Sequence, residues 1–334
     1  MHIHTVYGNS KYCSLEQLLS MATENGVKVI SFTDHNTLKA YFELMKKYSS
    51  EEIERIYGVK IVVGVEVNCK IGNQFNDMLV YNIDNLTEFQ NWLDANTNLD
   101  KSLVSQQEQL EFYKQVCQNL GLKFDDEDLV LSDKCLWAGT VISAALNKYY
   151  DENYHIIPDE DLKDGTLFFI HQCCNQSSPF FFNISKYRPK VEDLISKAHE
   201  CGGLVFVAHP GAYNGASAED LQQYLSFAKS LGVDGVEIDN SFNQNVNMYR
   251  TVPVKFCIDN NLKMSAGTDI HTIDDSDFTR CTPGVAPRYS GVGVTKPNSY
   301  VAKKFRKEII DSWAKYWYFT KELKSIIPST EYFK

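Results

Sequence analysis

The feature that most constrains this chain is the alternation of short β-branched runs with amphipathic helical stretches, which packs almost only as βαβ units of a largely parallel sheet. Ser14 and Gln17 form a capping box ahead of Leu15, Leu18, Leu19 and Ala22, which recur at helical spacing, and Gly26 ends that helix. A strand follows over 27–32 and runs into Thr33-Asp34-His35; a helix over 38–48 and a strand over 60–65 ending at Glu66 repeat the unit. The same rhythm resumes with helices at 191–201, 218–231 and 252–260 and strands at 204–208, 235–238 and 263–266. Between about 85 and 187 the strand signal fades into Gln-, Asn- and Asp-rich helical texture, over 87–120 and again over 139–150, which reads as an insertion. Residues 275–299, with Pro283, Pro287 and Pro297, read as a long loop before a helix over 301–318. The expected fold class is α/β: a core of 1–94 and 188–300, a mainly helical insertion of 95–187, and a C-terminal helix within 301–334 packed on the core.

A chain of 334 residues with 43% hydrophobic and 23% charged side chains can bury a large core. Acidic residues outnumber basic ones 43 to 33, giving a net charge of −10 with no Lys/Arg block. That balance argues against long nucleic acid or an anionic membrane as partner and leaves a small substrate. No run approaches the ~18–20 uncharged apolar residues of a membrane span. Met1-His2-Ile3-His4-Thr5 lacks the basic-then-apolar pattern of a secretory signal, so a cytoplasmic protein is expected. The nine cysteines are odd in number and form no Cys-x-x-Cys pair, so neither a disulfide framework nor a zinc ribbon is expected, and Cys173 and Cys174 read as reduced. Nothing in the sequence sets the oligomeric state.

The histidines are not scattered. His2, His4, His35, His209 and His271 lie at or just past the ends of predicted strands, with Glu66 and Asp269 in equivalent places. In an α/β barrel the C-terminal edge is where such side chains converge into one bowl. Two imidazoles spaced His-x-His on one strand share a face and can chelate one ion, and Asp269 and His271 repeat that spacing. A carboxylate such as Glu66 can bridge two cations, and a mixed imidazole–carboxylate set suits Zn, Mn or Fe. His155 and His199 read as solvated or capping, His171 as structural at the end of an apolar run, and Phe180-Phe181-Phe182 as core or lid packing.

Five ordered pieces then resemble the PHP (polymerase and histidinol phosphatase) family of metal-dependent phosphoesterases: His2-Ile3-His4-Thr5, Phe32-Thr33-Asp34-His35-Asn36-Thr37, Gly64-Val65-Glu66-Val67, Ala208-His209-Pro210-Gly211 and Gly267-Thr268-Asp269-Ile270-His271. The resemblance implies a distorted (β/α)7 barrel with two metal ions held by His2, His4, Glu66, His209 and Asp269, and a third position at His35 and His271. It implies that Asp34 orients a ligand or takes a catalytic part, as would His209 or His271 in protonating a leaving group. Three positions depart from the family pattern. Asn9 stands where an Asp is usual, Asp77 where a His is usual, and Ala212 where relatives carry an Arg, leaving Arg188, Arg280 and Arg288 to bind a substrate phosphate. Asn9 and Asp77 are retained as metal-site positions because one carboxylate is lost and one gained. Met1 directly precedes His2, a shorter lead than the family has, so a start further upstream is an expectation.

The implied activity is hydrolysis of small phosphoesters, phosphomonoester or nucleotide in type, by a metal-bridged hydroxide with two or three divalent ions (Mn, Zn or Fe). Two alternatives stand beside it: a metal-dependent hydrolase of C–N or lactone bonds, and a metal-binding regulatory module with a decayed site.

Overall fold

Leu15, Leu18, Leu19 and Ala22 are all buried along α1 (Leu15–Glu24). The helix opens on the expected reciprocal pair, Gln17 N–H to Ser14 Oγ (3.2 Å) and Ser14 N–H to Gln17 Oε1 (3.1 Å). The computed structural model describes residues 1–8, 14–24, 27, 29–72, 74–97, 102–131, 137–211, 217–239, 248–267 and 269. After β1 (Val29–Ile30) come α2 (Lys39–Met45) and α3 (Ser50–Tyr57). The second of these was not expected; Ser49 and Glu52 cap its start, and Gly58 ends it at φ 64°, where only glycine is unstrained. β2 (Lys60–Ile61) pairs parallel with β1. Both strands are shorter than expected because the buried Tyr41 hydroxyl occupies the place of a ladder partner. It accepts from Phe32 N–H and Gly64 N–H, each at 2.9 Å, and faces Phe32 O at 2.6 Å.

β3 (Gly64–Ile71) turns straight back into β4 (Gln74–Tyr81), an antiparallel hairpin in which Val65 faces Val80 and Asn68 faces Asp77. β5 (Leu204–Val207) is antiparallel to β4, and β6 (Gly235–Asp239) and β7 (Lys263–Ala266) continue in parallel, so the strand order is β3-β4-β5-β6-β7. α10 (Val191–Glu200) leads into β5, and α11 (Ala218–Ser230) and α12 (Met248–Asn260) make the crossovers from β5 to β6 and from β6 to β7. The fold is mixed α/β, and among the described residues a two-stranded and a five-stranded sheet stay open, so they close no sevenfold barrel. Residues 1–5 run where a further strand would lie, but they make too few backbone bonds to count as one. Met1 donates its amine to Ala266 O (2.8 Å), Asp269 N–H reaches His2 O (2.8 Å) and Thr33 N–H reaches Ile3 O (2.7 Å). Thr5 N–H goes to the Asp34 side chain instead of to backbone.

Two compact units share the chain. One holds residues 1–96 and the described residues from Pro189 onward, around a core that includes Ile3, Leu18, Phe32, Val65, Val80, Val205, Val236 and Ile238. α4 (Leu86–Asn96) belongs to it, with Phe89 and Leu93 buried. The other, Thr97–Arg188, is built on α5 (Leu103–Leu120), α6 (Ala138–Asn147), α7 (Tyr150–Asn153), α8 (Asp159–Lys163) and α9 (Gly165–Phe168), with no described strand. Its own core joins Leu110, Tyr113, Ile142, Leu146, Phe168 and Phe180. The expected loop over 275–299 and helix over 301–318 lie outside the described residues. Among those described, no helix is long and apolar enough to cross a membrane, and neither Cys173 nor Cys174 is in a disulfide.

Candidate metal centre

The extended segment 1–5 puts His2 and His4 on one side, as the alternation of side chains requires. Their Nε2 atoms stand 3.3 Å apart, and both rings are buried. Opposite them are two carboxylate oxygens. Glu66 Oε2, on β3, lies 3.1 Å from His2 Nε2 and 3.2 Å from His4 Nε2; Asp269 Oδ1, just past β7, lies 3.2 and 3.0 Å from the same two atoms. His2, His4, Glu66 and Asp269 thus point four donor atoms at one small volume. A second group shares Glu66: its Oε1 lies 3.1 Å from His209 Nε2, just past β5, and Asp77 Oδ2, on β4, is 3.9 Å from that same nitrogen.

His35 flanks the first group. Its Nδ1 is 3.3 Å from Glu66 Oε2, its ring stacks on His4 at 4.6 Å, and its side chain is 21% exposed where the others are buried. The loop that carries it turns through Asn36 at φ 57°, a left-handed value that Asn tolerates. Asn68, facing from β3, fixes that turn: Asn36 Nδ2 donates to Asn68 Oδ1 (2.6 Å) and Asn68 N–H to Asn36 Oδ1 (3.1 Å). Asn68 Nδ2 then donates to Asp77 Oδ1 (2.5 Å), so one amide orients both the His35 loop and the Asp77 carboxylate. His209 (φ 22°) and Asp269 (φ 52°) also sit in the left-handed region, a strain of order 1–3 kcal/mol that recurs at functional sites.

The electrostatics follow from this crowding. Burial alone would lower the His4 pKa, but hydrogen bonds and charge from Asp269 and Glu66 outweigh it and raise the value to about 9. His209 behaves likewise: burial opposes, Glu66 dominates the rest, and the result is about 9. His2 is raised in the same way by Asp269, Glu66 and Glu237 against burial. In return, and against their own burial, Glu66 is held well below the carboxylate range by His2 and His35, and Asp269 is held below it by His2 and His4. Four buried imidazole and carboxylate groups facing one point are costly unless protons or a cation balance them. This mixed nitrogen–oxygen donor set fits a divalent transition metal.

Of the remaining expected residues, Asp34 is buried but turned away from the donors: its two oxygens accept from Thr5 N–H and Thr5 Oγ1, each at 2.6 Å. It ties the His2/His4 segment to the His35 loop, and burial raises its pKa despite those bonds. Arg188 closes the other unit, where its N–H reaches Ser185 O (3.2 Å). Asn9, His271, Ala212, Arg280 and Arg288 lie outside the described residues. His171 faces Asp161 (2.7 Å), whose other oxygen accepts from Gln172 Nε2 (2.7 Å), so that carboxylate is satisfied within the insertion. His199 pairs with Asp234 (2.8 Å). Phe180 is a core residue of its unit.

Sequence reasoning missed Asn68, Thr5 and, above all, Glu237. Glu237 sits in the middle of β6, fully buried, with Oε1 3.1 Å from His2 Nδ1 and Oε2 accepting from His209 N–H at 2.9 Å. The signal was available. A carboxylate between Val236 and Ile238 in a parallel strand covered on both faces must have a partner.

Comparison with known proteins gives a match to the PHP domain over residues 1–200. An uncharacterised protein of Methanocaldococcus jannaschii is 32% identical over 77 residues, 20% of this chain and 42% of its own length, so the chain spans less than half of that relative. An amidohydrolase from Chromobacterium violaceum, holding sulfate and no metal, superposes with a TM-score of 0.56 at 15% identity, over 93% of this chain and 95% of its own. A candidate metal-dependent phosphoesterase from Bifidobacterium adolescentis gives 0.49 at 17% identity, over 81% and 86%. Likeness at such identities speaks for the fold alone.

Proposed function

Because this chain belongs to the PHP domain family, we propose that it is a metal-dependent hydrolase of small phosphoesters, phosphomonoesters or nucleotides. The observation that carries the reading is Glu66, whose two oxygens face two separate sets of donors, Oε2 toward His2 and His4 and Oε1 toward His209. His2, His4, Glu66 and Asp269 would hold one divalent ion, and Glu66, His209 and Asp77 a second; the family resemblance adds His35 and His271 as holders of a third. Metal ions bound there supply Lewis-acid activation of water and neutralise charge on phosphoryl oxygens.

The chain's own part is to hold and orient. Asn68 aims Asp77 and sets the His35 loop, while Thr5 and Asp34 lock the His2/His4 segment against that loop. His209 is buried against Glu66, which suits a ligand better than a proton donor. When it holds no metal, His35, with its exposed edge, is the imidazole able to meet a substrate or give a proton to its leaving group. Asp34, engaged by Thr5, is a structural tie in this reading. The net charge of −10 supports a small substrate, since a polynucleotide needs many cationic contacts with its phosphates. The fold shared with the Chromobacterium violaceum amidohydrolase favours one second reading, a metal-dependent C–N hydrolase.

The test is a screen of sugar phosphates, nucleoside mono- and bisphosphates and dinucleotides against amides, lactones and long single-stranded DNA and RNA, with Mn, Zn or Fe added to chelator-treated protein. Metal-stimulated phosphate release from the small phosphoesters is expected. Turnover confined to amides or lactones would replace this reading with the second one.

A further inference from the structure

Besides Glu66, which the two donor groups share, Glu237 is a buried carboxylate among the described residues that touches a residue of each group, through a side chain in one case and through the main chain in the other. On the first side its Oε1 lies 3.1 Å and its Oε2 3.3 Å from His2 Nδ1. His2 Nε2, the opposite ring nitrogen, faces Glu66 Oε2 at 3.1 Å and Asp269 Oδ1 at 3.2 Å. On the second side Glu237 Oε2 accepts from the N–H of His209, whose backbone is held at φ 22° and whose Nε2 faces Glu66 Oε1. We propose that Glu237 is the positioning residue that fixes both donor groups in one mutual geometry, so that the two metal positions gain or lose affinity together.

The inference rests on the metal-dependent reading above and deepens it. A carboxylate at Nδ1 keeps the imidazole proton on that nitrogen and leaves the Nε2 lone pair directed at the donor cluster. A backbone held in a sparsely populated conformation needs partners that over-determine it, and the His209 N–H finds its acceptor here. Both tasks need two acceptor oxygens. A carboxamide has one oxygen and turns its own N–H2 toward one of the two donors. Glu237→Gln therefore keeps the volume and loses the double grip.

The experiment uses the full chain, stripped with a chelator, as wild type, Glu237→Gln and Glu237→Ala. Each is titrated with Zn(II) in competition with a chromophoric chelator, then with Co(II) while its visible spectrum is recorded, and melted with and without metal. For Glu237→Gln we expect both Zn(II) affinities to fall by about 10–100-fold, the Co(II) bands to shift, and the metal-loaded melting temperature to drop more than the metal-free one. Glu237→Ala is expected to fall at least as far. Unchanged affinities and bands in Glu237→Gln would overturn the proposal, and weakening of one position alone would overturn the coupling. Equal loss of melting temperature in the loaded and metal-free forms, or a Glu237→Gln chain that does not fold, would make the residue structural and overturn it as well. A wild-type protein that takes up no metal would instead sink the proposed function, and that result is read before any variant.

Discussion

Glu66 is buried yet meets polar groups on every side: His2, His4 and His35 around one oxygen, His209 on the other, the Asn36 N–H on its main-chain carbonyl and the Asp34 carbonyl on its N–H. Changing it to Gln keeps the shape and removes the charge that the two donor groups share. Glu66→Gln is expected to lose metal affinity by more than the 10–100-fold typical of outer partners, with the fold retained; metal content after dialysis and a circular dichroism spectrum check it, and full metal content would refute the shared role. The same crowding fixes the pH response of the metal-free protein. His4 and His209, raised from 6.5 to about 9, contribute stability that is complete below about pH 6.5 and is lost as pH rises through about 9. Glu66 and Asp269, depressed from 4.5 and 3.8, contribute stability that is present above those values and is lost as pH falls through the lower folded ones. Metal-free protein should therefore be most stable at about pH 5–6. A cation needs the imidazoles neutral, so its binding must release protons and tighten from pH 6.5 toward 9. Calorimetry at pH 7 in two buffers of different ionisation enthalpy should show that release; a heat independent of buffer would mean that the imidazoles carry no protons to displace.

At the scale of elements, each donor rides on a strand, just past one or on the extended segment beside one, and backbone contacts leave little freedom for adjustment. Gly267 follows β7, and a Cβ there would stand 2.3 Å from His2 Cβ and 2.4 Å from His2 N. Backbone cannot yield as a flexible side chain can, so Gly267→Ala should displace His2, cost about 1–3 kcal/mol and weaken metal binding. Melting with and without metal separates the two effects: equal shifts would mean a packing defect alone. His2, His4, Glu66, His209 and Asp269 were legible in the sequence because periodic strands with chemistry-bearing residues at their ends announce themselves. The helices α10, α11 and α12 were legible for the same reason. The β3/β4 hairpin was not, because Asn76 to Tyr81 carries no helix before it and Gly72 looks like any loop glycine. The buried carboxylate of Glu237 signalled that it needs a partner, but the partners of Glu237, Asn68 and Thr5 were not legible, since they depend on which segments lie side by side. Asp34 was legible as a buried neighbour of His35, but its pairing with Thr5 depends on a contact between segments 29 residues apart.

Across the whole molecule, the described donors of both groups, and the residues that orient them, belong to the unit of residues 1–96 and 189 onward, while Thr97–Arg188 keeps a hydrophobic core of its own. In that second core Phe180 is fully buried, packs edge-on against Phe168 at 5.2 Å between ring centroids and lies 6.2 Å from Tyr113. Truncating it to Ala removes most of an aromatic side chain from a packed interior, which costs about 3–5 kcal/mol. If the insertion's stability is separate from that of the metal-binding unit, the loss stays local. Phe180→Ala should then melt in two steps, an early one for the insertion and a later one that still rises on adding metal. Metal content per chain should equal that of the wild type at temperatures between the two steps. Calorimetry over a metal titration reads both quantities from one sample. A single transition lowered throughout, with metal lost in proportion, would show instead that the metal-binding unit depends on the insertion for its own stability.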